Sequence, residues 1–274
     1  MATKPSPGMN QHLFTHLSWR RPWTRSLLYP FFRLHPHPIF FVGNQKSGTT
    51  AISRLFAIHT GKSCATWLPG FSQQLLQQIQ DKKIPLRDAI WHYGKIEFSR
   101  SVIKECNLTL FLDELHELYP HAPTVFIVRD PRDNIRSILN YLEIPGNLDD
   151  LLPMFIPKSS EWQHILDNSW LHLPAENYIT SLASRWAYTT SFYLKAPDKY
   201  LLLRYEDFLK NKTTTIDTLG ALLAPGTSHP IRSWLEYPFQ PRSAYRANWI
   251  DFFGSKNLQH IESICAEGIH AFGY

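Results

Sequence analysis

A lysine set inside a glycine turn is the first feature of this chain that could do chemistry. Gly43-Asn-Gln-Lys-Ser-Gly-Thr-Thr50 follows the apolar run Pro38-Ile-Phe-Phe-Val42. It precedes a segment whose Ile52, Leu55, Phe56 and His59 share one helical face. Strand, glycine loop and helix together offer an anion a set of backbone N–H groups and the positive end of a helix dipole. Gly43 and Gly48 have the spacing of a nucleoside-triphosphate loop, yet the position that should hold lysine is Thr49, and the lysine, Lys46, lies earlier. A nucleoside triphosphatase needs the later lysine for its terminal phosphates, so ordinary triphosphate chemistry is disfavoured.

A second anion-binding arrangement lies downstream. Thr124-Val-Phe-Ile-Val128 reads as a buried strand, Arg129 leaves its end, and Ser137 falls on the second turn of the helix that follows. A guanidinium placed there can hold phosphate oxygens bidentately. A buried network of Arg129, Asp130 and Asp133 is the competing structural reading.

Lys46-Ser-Gly-Thr-Thr50 and Val125-Phe-Ile-Val-Arg-Asp-Pro-Arg-Asp-Asn-Ile-Arg-Ser137 together resemble the two signatures of the sulfotransferases that use 3′-phosphoadenosine 5′-phosphosulfate (PAPS). The resemblance runs from about residue 38 to the end and implies a P-loop relative that needs no metal. It implies that Lys46, Ser47, Gly48, Thr49 and Thr50 hold the 5′-phosphosulfate, with Lys46 steadying the leaving oxygen. Arg129 and Ser137 would hold the 3′-phosphate. Leu203-Arg-Tyr-Glu-Asp-Phe208 matches the family's late strand and turn, with a structural role. The closing segment from Arg242 to Tyr274 is similar to one that often supplies a basic residue to the 3′-phosphate; Arg246 is the choice here and Arg242 the reserve.

The chain departs from the family pattern at two places. Many members place tryptophan directly after the loop, against adenine; here Ala51 stands there, and Trp186 is a candidate replacement unless it is a core residue. The family's base precedes the arginine motif on a strand that here reads Val102-Ile-Lys-Glu-Cys106. Lys104 aligns with the motif lysine, but Cys106 stands at the histidine position and Ile103 at that of the glutamate. An acceptor hydroxyl must still lose its proton, which leaves Glu105, His92 and Glu97 as candidates, with a surface salt bridge as the alternative account of Glu105.

The elements that must position these residues alternate. Helices are expected over 71–80, 113–119, 181–195 and 213–223, and strands over 101–104 and 200–203. That order implies an α/β fold, a three-layer α/β/α sandwich around a parallel sheet, and the resemblance implies that it is P-loop NTPase-like. Residues 1–36 read as an N-terminal arm and 37–274 as one domain. Residues 144–180 read as a lid or substrate-facing insertion, with Trp162 and Trp170 suggesting an apolar or sugar-stacking wall.

The bulk numbers set outer bounds. The chain has 274 residues, 43% hydrophobic and 19% charged, with a formal net charge of +5, enough core for a domain of this size and too mild a charge to demand nucleic acid. Three cysteines and no CxxC or HExxH pattern argue against a disulfide framework or a metal site and for a cytoplasmic setting. The arm's Trp19–Arg33 stretch, arginines mixed with aromatics, allows weak peripheral membrane contact, although Pro22 and Pro30 interrupt any long amphipathic helix. The expected partner is a small-molecule, lipid or carbohydrate acceptor bearing a hydroxyl or amine. Two rivals stand: a P-loop small-molecule kinase and a non-enzymatic PAPS-binding protein. Two formal glycosylation sequons, at Asn107 and Asn211, are set aside, since no membrane anchor precedes them.

Overall fold

The apolar runs read above become the centre of a sheet. In the computed structural model, which describes residues 28–147, 160–239 and 248–274, β1 (Ile39–Val42), β3 (Val102–Lys104) and β4 (Thr124–Val128) are buried at every position. Such runs are expected of parallel strands covered on both faces. The two outer strands are β2 (Cys64–Ala65) and β5 (Leu201–Arg204), and the order is β2-β3-β1-β4-β5, parallel throughout. β2 escapes the sequence reading because two residues carry no period. It is also too short to offer a long bare edge.

Helices cover both faces. In chain order they are α1 (Thr49–Thr60), α2 (Gln73–Gln80), α3 (Leu86–Ala89), α4 (Leu112–Leu118), α5 (Pro131–Leu142), α6 (Ser160–Leu166), α7 (Tyr178–Lys195), α8 (Tyr205–Lys210), α9 (Lys212–Leu223), α10 (Trp249–Ile264) and α11 (Ala266–Phe272). One core layer joins Phe41, Ile52, Phe56, Val125 and Ile127 to Ile216 and Leu219 of α9. On the other face Phe40, Phe98, Ile103 and Phe126 pack with Leu76, Leu112 and Leu115. A third cluster buries Ile135, Ile138 and Leu139 of α5 against Leu182 and Trp186 of α7 and Phe253 of α10. The expected three-layer sandwich is what forms. No helix among the described residues is long and apolar enough to cross a membrane.

The insertion read over 144–180 divides. Residues 148–159 lie outside the described residues, but α6 and the turn Ser169–Leu171 pack inward. Trp170 is buried and donates its indole N–H to the His164 carbonyl (2.8 Å). It therefore belongs to the core, which corrects its reading as an open acceptor wall. Trp162 is half-buried on the Tyr141 ring, with centroids 4.9 Å apart. Most of the N-terminal arm, Trp19 to Ser26 included, also lies outside the described residues.

Candidate active site

The loop after β1 takes its shape from three left-handed residues. Gly43 (φ 138°), Lys46 (φ 63°) and Gly48 (φ 84°) turn the chain sharply into α1. Gly48 is the N-cap of α1 and no side chain caps that helix. A glycine at that position offers no capping oxygen, and the positive end of the helix dipole lies at the loop. α5 differs in this respect, since Asp130 caps it by accepting from the Arg132 N–H at 2.9 Å.

Neighbouring elements brace the loop. The Gly43 N–H donates to Thr109 Oγ1 (2.8 Å), and that hydroxyl donates back to the Gly43 carbonyl (3.3 Å). Asn134 of α5 donates to the Gln45 carbonyl (2.7 Å) and to Ser47 Oγ (3.0 Å), while its Oδ1 accepts from Asn44 (3.0 Å). Asn134, Ser137 and Tyr141 recur at i, i+3 and i+7 and so share the helix face turned to the loop. That periodicity was visible in the sequence, and Asn134 and Tyr141 could have been read from it.

Cations gather around this loop. Lys46 Nζ lies 4.7 Å from the Tyr141 ring centroid, and Arg129 donates to the Lys46 carbonyl (2.9 Å) while its guanidinium lies over Tyr205 at 4.8 Å. Neither makes a salt bridge among the described residues. Arg129 Nε is buried without a hydrogen-bond partner, and so is Asn44 Oδ1. An unmatched buried guanidinium N–H is costly, so it calls for an explanation, and a bound anion is one. The structural reading of Arg129 as part of an arginine–aspartate network does not describe what forms. Asp130 pairs with Arg132 and Asp133 with Arg136, and Arg129 stays outside both pairs.

The turn Leu203–Phe208 supports Arg129 from below. Tyr205 packs against Gly48 and under the guanidinium, and Glu206 accepts the Asp130 N–H (3.0 Å) and the Tyr274 hydroxyl (2.9 Å). Trp186 is buried and donates its indole N–H to the Arg129 carbonyl (3.0 Å). It is therefore a core residue holding Arg129, and its reading as the adenine platform falls.

Burial first, and then the Arg129 charge, lower the Lys46 pKa from the ordinary lysine value. An anion at the loop favours the charged amine. The loop's affinity for an anion should accordingly weaken as pH rises through the lowered Lys46 pKa, below the roughly 10.4 of a free lysine. Lys46→Arg should shift that alkaline limb upward, which calorimetry of pyrophosphate binding across the alkaline range can check.

β3 brings its residues in with opposite orientations. Lys104 is buried and reaches the Thr66 carbonyl at 3.5 Å. Burial opposes its charge, but Cys106 and Glu105 outweigh that effect and raise its pKa. Cys106 Sγ lies 3.4 Å from Thr49 Oγ1, which joins the β3 end to the loop helix. Glu105 turns the other way: its two oxygens accept the N–H groups of Leu68 (3.1 Å) and Asn107 (3.0 Å). His92 is exposed on the turn Ile90–Gly94, and Glu97 is buried. Arg242 and Arg246 lie outside the described residues. No group of three or more metal-ligating side chains occurs among the described residues.

One residue of this site was not legible beforehand. Arg185 of α7 is fully buried and donates to Gln45 Oε1 (3.3 Å), Asn168 Oδ1 (3.1 Å) and Asn107 Oδ1 (3.3 Å). In the sequence it is one arginine in a helix without any motif.

Comparison with known proteins places the chain in a family. A family model described as the sulfotransferase domain matches residues 36–224, and the chain belongs to that family. A sulfotransferase from Mycobacterium tuberculosis H37Rv superposes with a TM-score of 0.52 at 12% identity, over 90% of this chain and 80% of that one. The two share the sulfotransferase form of the P-loop NTPase-like fold. A Mycobacterium avium sulfotransferase gives 0.49 at 14% identity, over 90% and 79% of the two chains. A mouse sulfotransferase complexed with PAP gives 0.48 at 13%, over 89% and 88%. No curated protein sequence matches significantly.

Proposed function

We propose that this sulfotransferase takes its sulfuryl group from PAPS and passes it to a hydroxyl or amine of a small-molecule acceptor. The observation that carries the reading is the pair Lys46 and Arg129, joined through the loop backbone and matched by no carboxylate among the described residues. The uncapped start of α1 and the Ser47 to Thr50 amides would take the 5′-phosphosulfate. Arg129 and Ser137 would take the 3′-phosphate, with Arg246 as a further basic residue.

In the transfer, the acceptor oxygen forms a bond to sulfur as the bond from sulfur to the phosphate oxygen breaks. Lys46 stabilises the charge that grows on that departing oxygen, and Lys104 adds a second positive charge. Positioning and charge supply most of the rate, as in phosphoryl transfer. The acceptor proton passes to Glu105 or His92. Glu105 already accepts two backbone N–H groups, so His92 is the candidate with uncommitted nitrogens.

The kinase reading loses ground to Thr49, which places a hydroxyl where a triphosphate loop needs lysine. The test is calorimetric binding of 3′-phosphoadenosine 5′-phosphate beside ATP, with wild type and Arg129→Ala. The 3′-phosphorylated nucleotide should bind more tightly than ATP, and its affinity should fall about 100-fold in the variant, the scale of a lost charge-assisted contact. Equal or ATP-favoured binding would sink the assignment.

A further inference from the structure

Arg185 stands out when the buried charges are compared. It has no solvent exposure, and its hydrogen bonds end on three neutral amide oxygens, those of Gln45, Asn107 and Asn168. No carboxylate forms a salt bridge with it among the described residues, and the Trp170 ring lies 6.0 Å from its guanidinium carbon. The other interior arginine cluster behaves oppositely, since Arg132 is held by Asp130 and Glu262. Burial alone lowers the Arg185 pKa to about 10, with Cys106 opposing.

Two of the three amide partners lie on donor-site segments. Gln45 precedes Lys46 in the loop, and Asn107 follows Cys106, whose thiol meets Thr49. Gln45 also donates to Asn107 (3.1 Å), so one amide pair joins both segments to the guanidinium. An unmatched interior cation destabilises the protein that holds it, yet its field extends farther in a low-dielectric interior than in water. An anion arriving at the loop offsets that cost.

We propose that Arg185 is a positioning residue whose buried, unmatched charge, relayed through Gln45 and Asn107, is reserved for the anionic nucleotide. The inference rests on the donor site assigned above. It makes the free protein less stable than its packing allows and returns that deficit on binding. Positive charge behind the loop also sets the register of Lys46 through Gln45.

The experiment compares wild type, Arg185→Met, Arg185→Lys and Arg185→Gln, using 3′-phosphoadenosine 5′-phosphate as the probe. Thermal midpoints are read with and without the nucleotide, and its Kd is measured by calorimetry. Arg185→Met should melt at or above wild type when free, bind at least tenfold more weakly, and gain less on binding. A lower free midpoint with affinity within twofold of wild type would make Arg185 a purely structural hub and overturn the proposal. Should the methionine variant fail to fold, the charge contrast decides: lysine must bind at least fivefold tighter than glutamine, and equal binding overturns it. Wild type that binds no 3′-phosphorylated nucleotide would remove the donor-site reading and this one together. Tight wild-type binding that survives every substitution would remove this one alone.

Discussion

Replacing Lys46 by methionine should lower turnover by about 100- to 1,000-fold, the cost of removing one charge donor from a preorganised site. The larger part of the loss should fall on kcat, with a smaller weakening of nucleotide affinity from the lost Lys46 charge. Ground-state affinity retains Arg129, Ser137 and the loop amides, whereas the charge on the departing oxygen develops only as the sulfur bond breaks. Methionine keeps the length of the side chain and the same left-handed backbone (φ 63° at this position), so the fold has no reason to suffer. Single-turnover transfer to simple phenol and alcohol acceptors, beside nucleotide binding, separates the two effects. A variant that turns over within threefold of wild type would remove Lys46 from the transfer step.

The second large effect is on stability. Gly48→Ala should cost about 3 kcal/mol, from roughly 1–2 kcal/mol of left-handed backbone strain and a comparable overpacking cost. Its φ is 84°, and an added Cβ would meet the Tyr205 ring at 2.3 Å. That ring lies beneath Arg129, so the damage should extend to nucleotide affinity. Thermal melting should drop by roughly 6–12 °C. If the variant melts like wild type and binds as tightly, Tyr205 yields freely and the loop is less constrained than its contacts imply.

What could be read from the sequence follows from how local each signal is. Val42 to Thr50 is a strand, a turn and a helix start in immediate succession, so glycine spacing and apolar periodicity locate the loop within a residue or two. Arg129 and Ser137 are legible for the same reason. Trp170 misled because a tryptophan in a proline-rich stretch looks the same whether its indole is open or, as here, donates to the His164 carbonyl inside the core. Trp186 was ambiguous on the same grounds until its bond to the Arg129 carbonyl was seen. Glu105 and Lys104 are neighbours in sequence, and strand alternation gave their opposite facing. That the Glu105 carboxylate is taken up by the Leu68 and Asn107 N–H groups depends on a loop 37 residues away. Arg185 lay beyond any local reading, since what sets it apart is that no carboxylate pairs with it among the described residues, a property of segments far apart in the chain.

The distances along the chain that close this site have a kinetic meaning. The loop's supporting bonds span 66 residues at Thr109, 83 at Arg129, 87 at Asn134 and 140 at Arg185. Because β1 sits in the middle of the sheet, with β3 and β4 pairing to it only after long excursions, loop-closure entropy is spent before these contacts repay it. A ribosome that has released β1 and α1 has made the phosphate loop's sequence but none of its walls. At the donor site proposed above, nucleotide binding would therefore require these later walls, α7 among them, and not the loop alone.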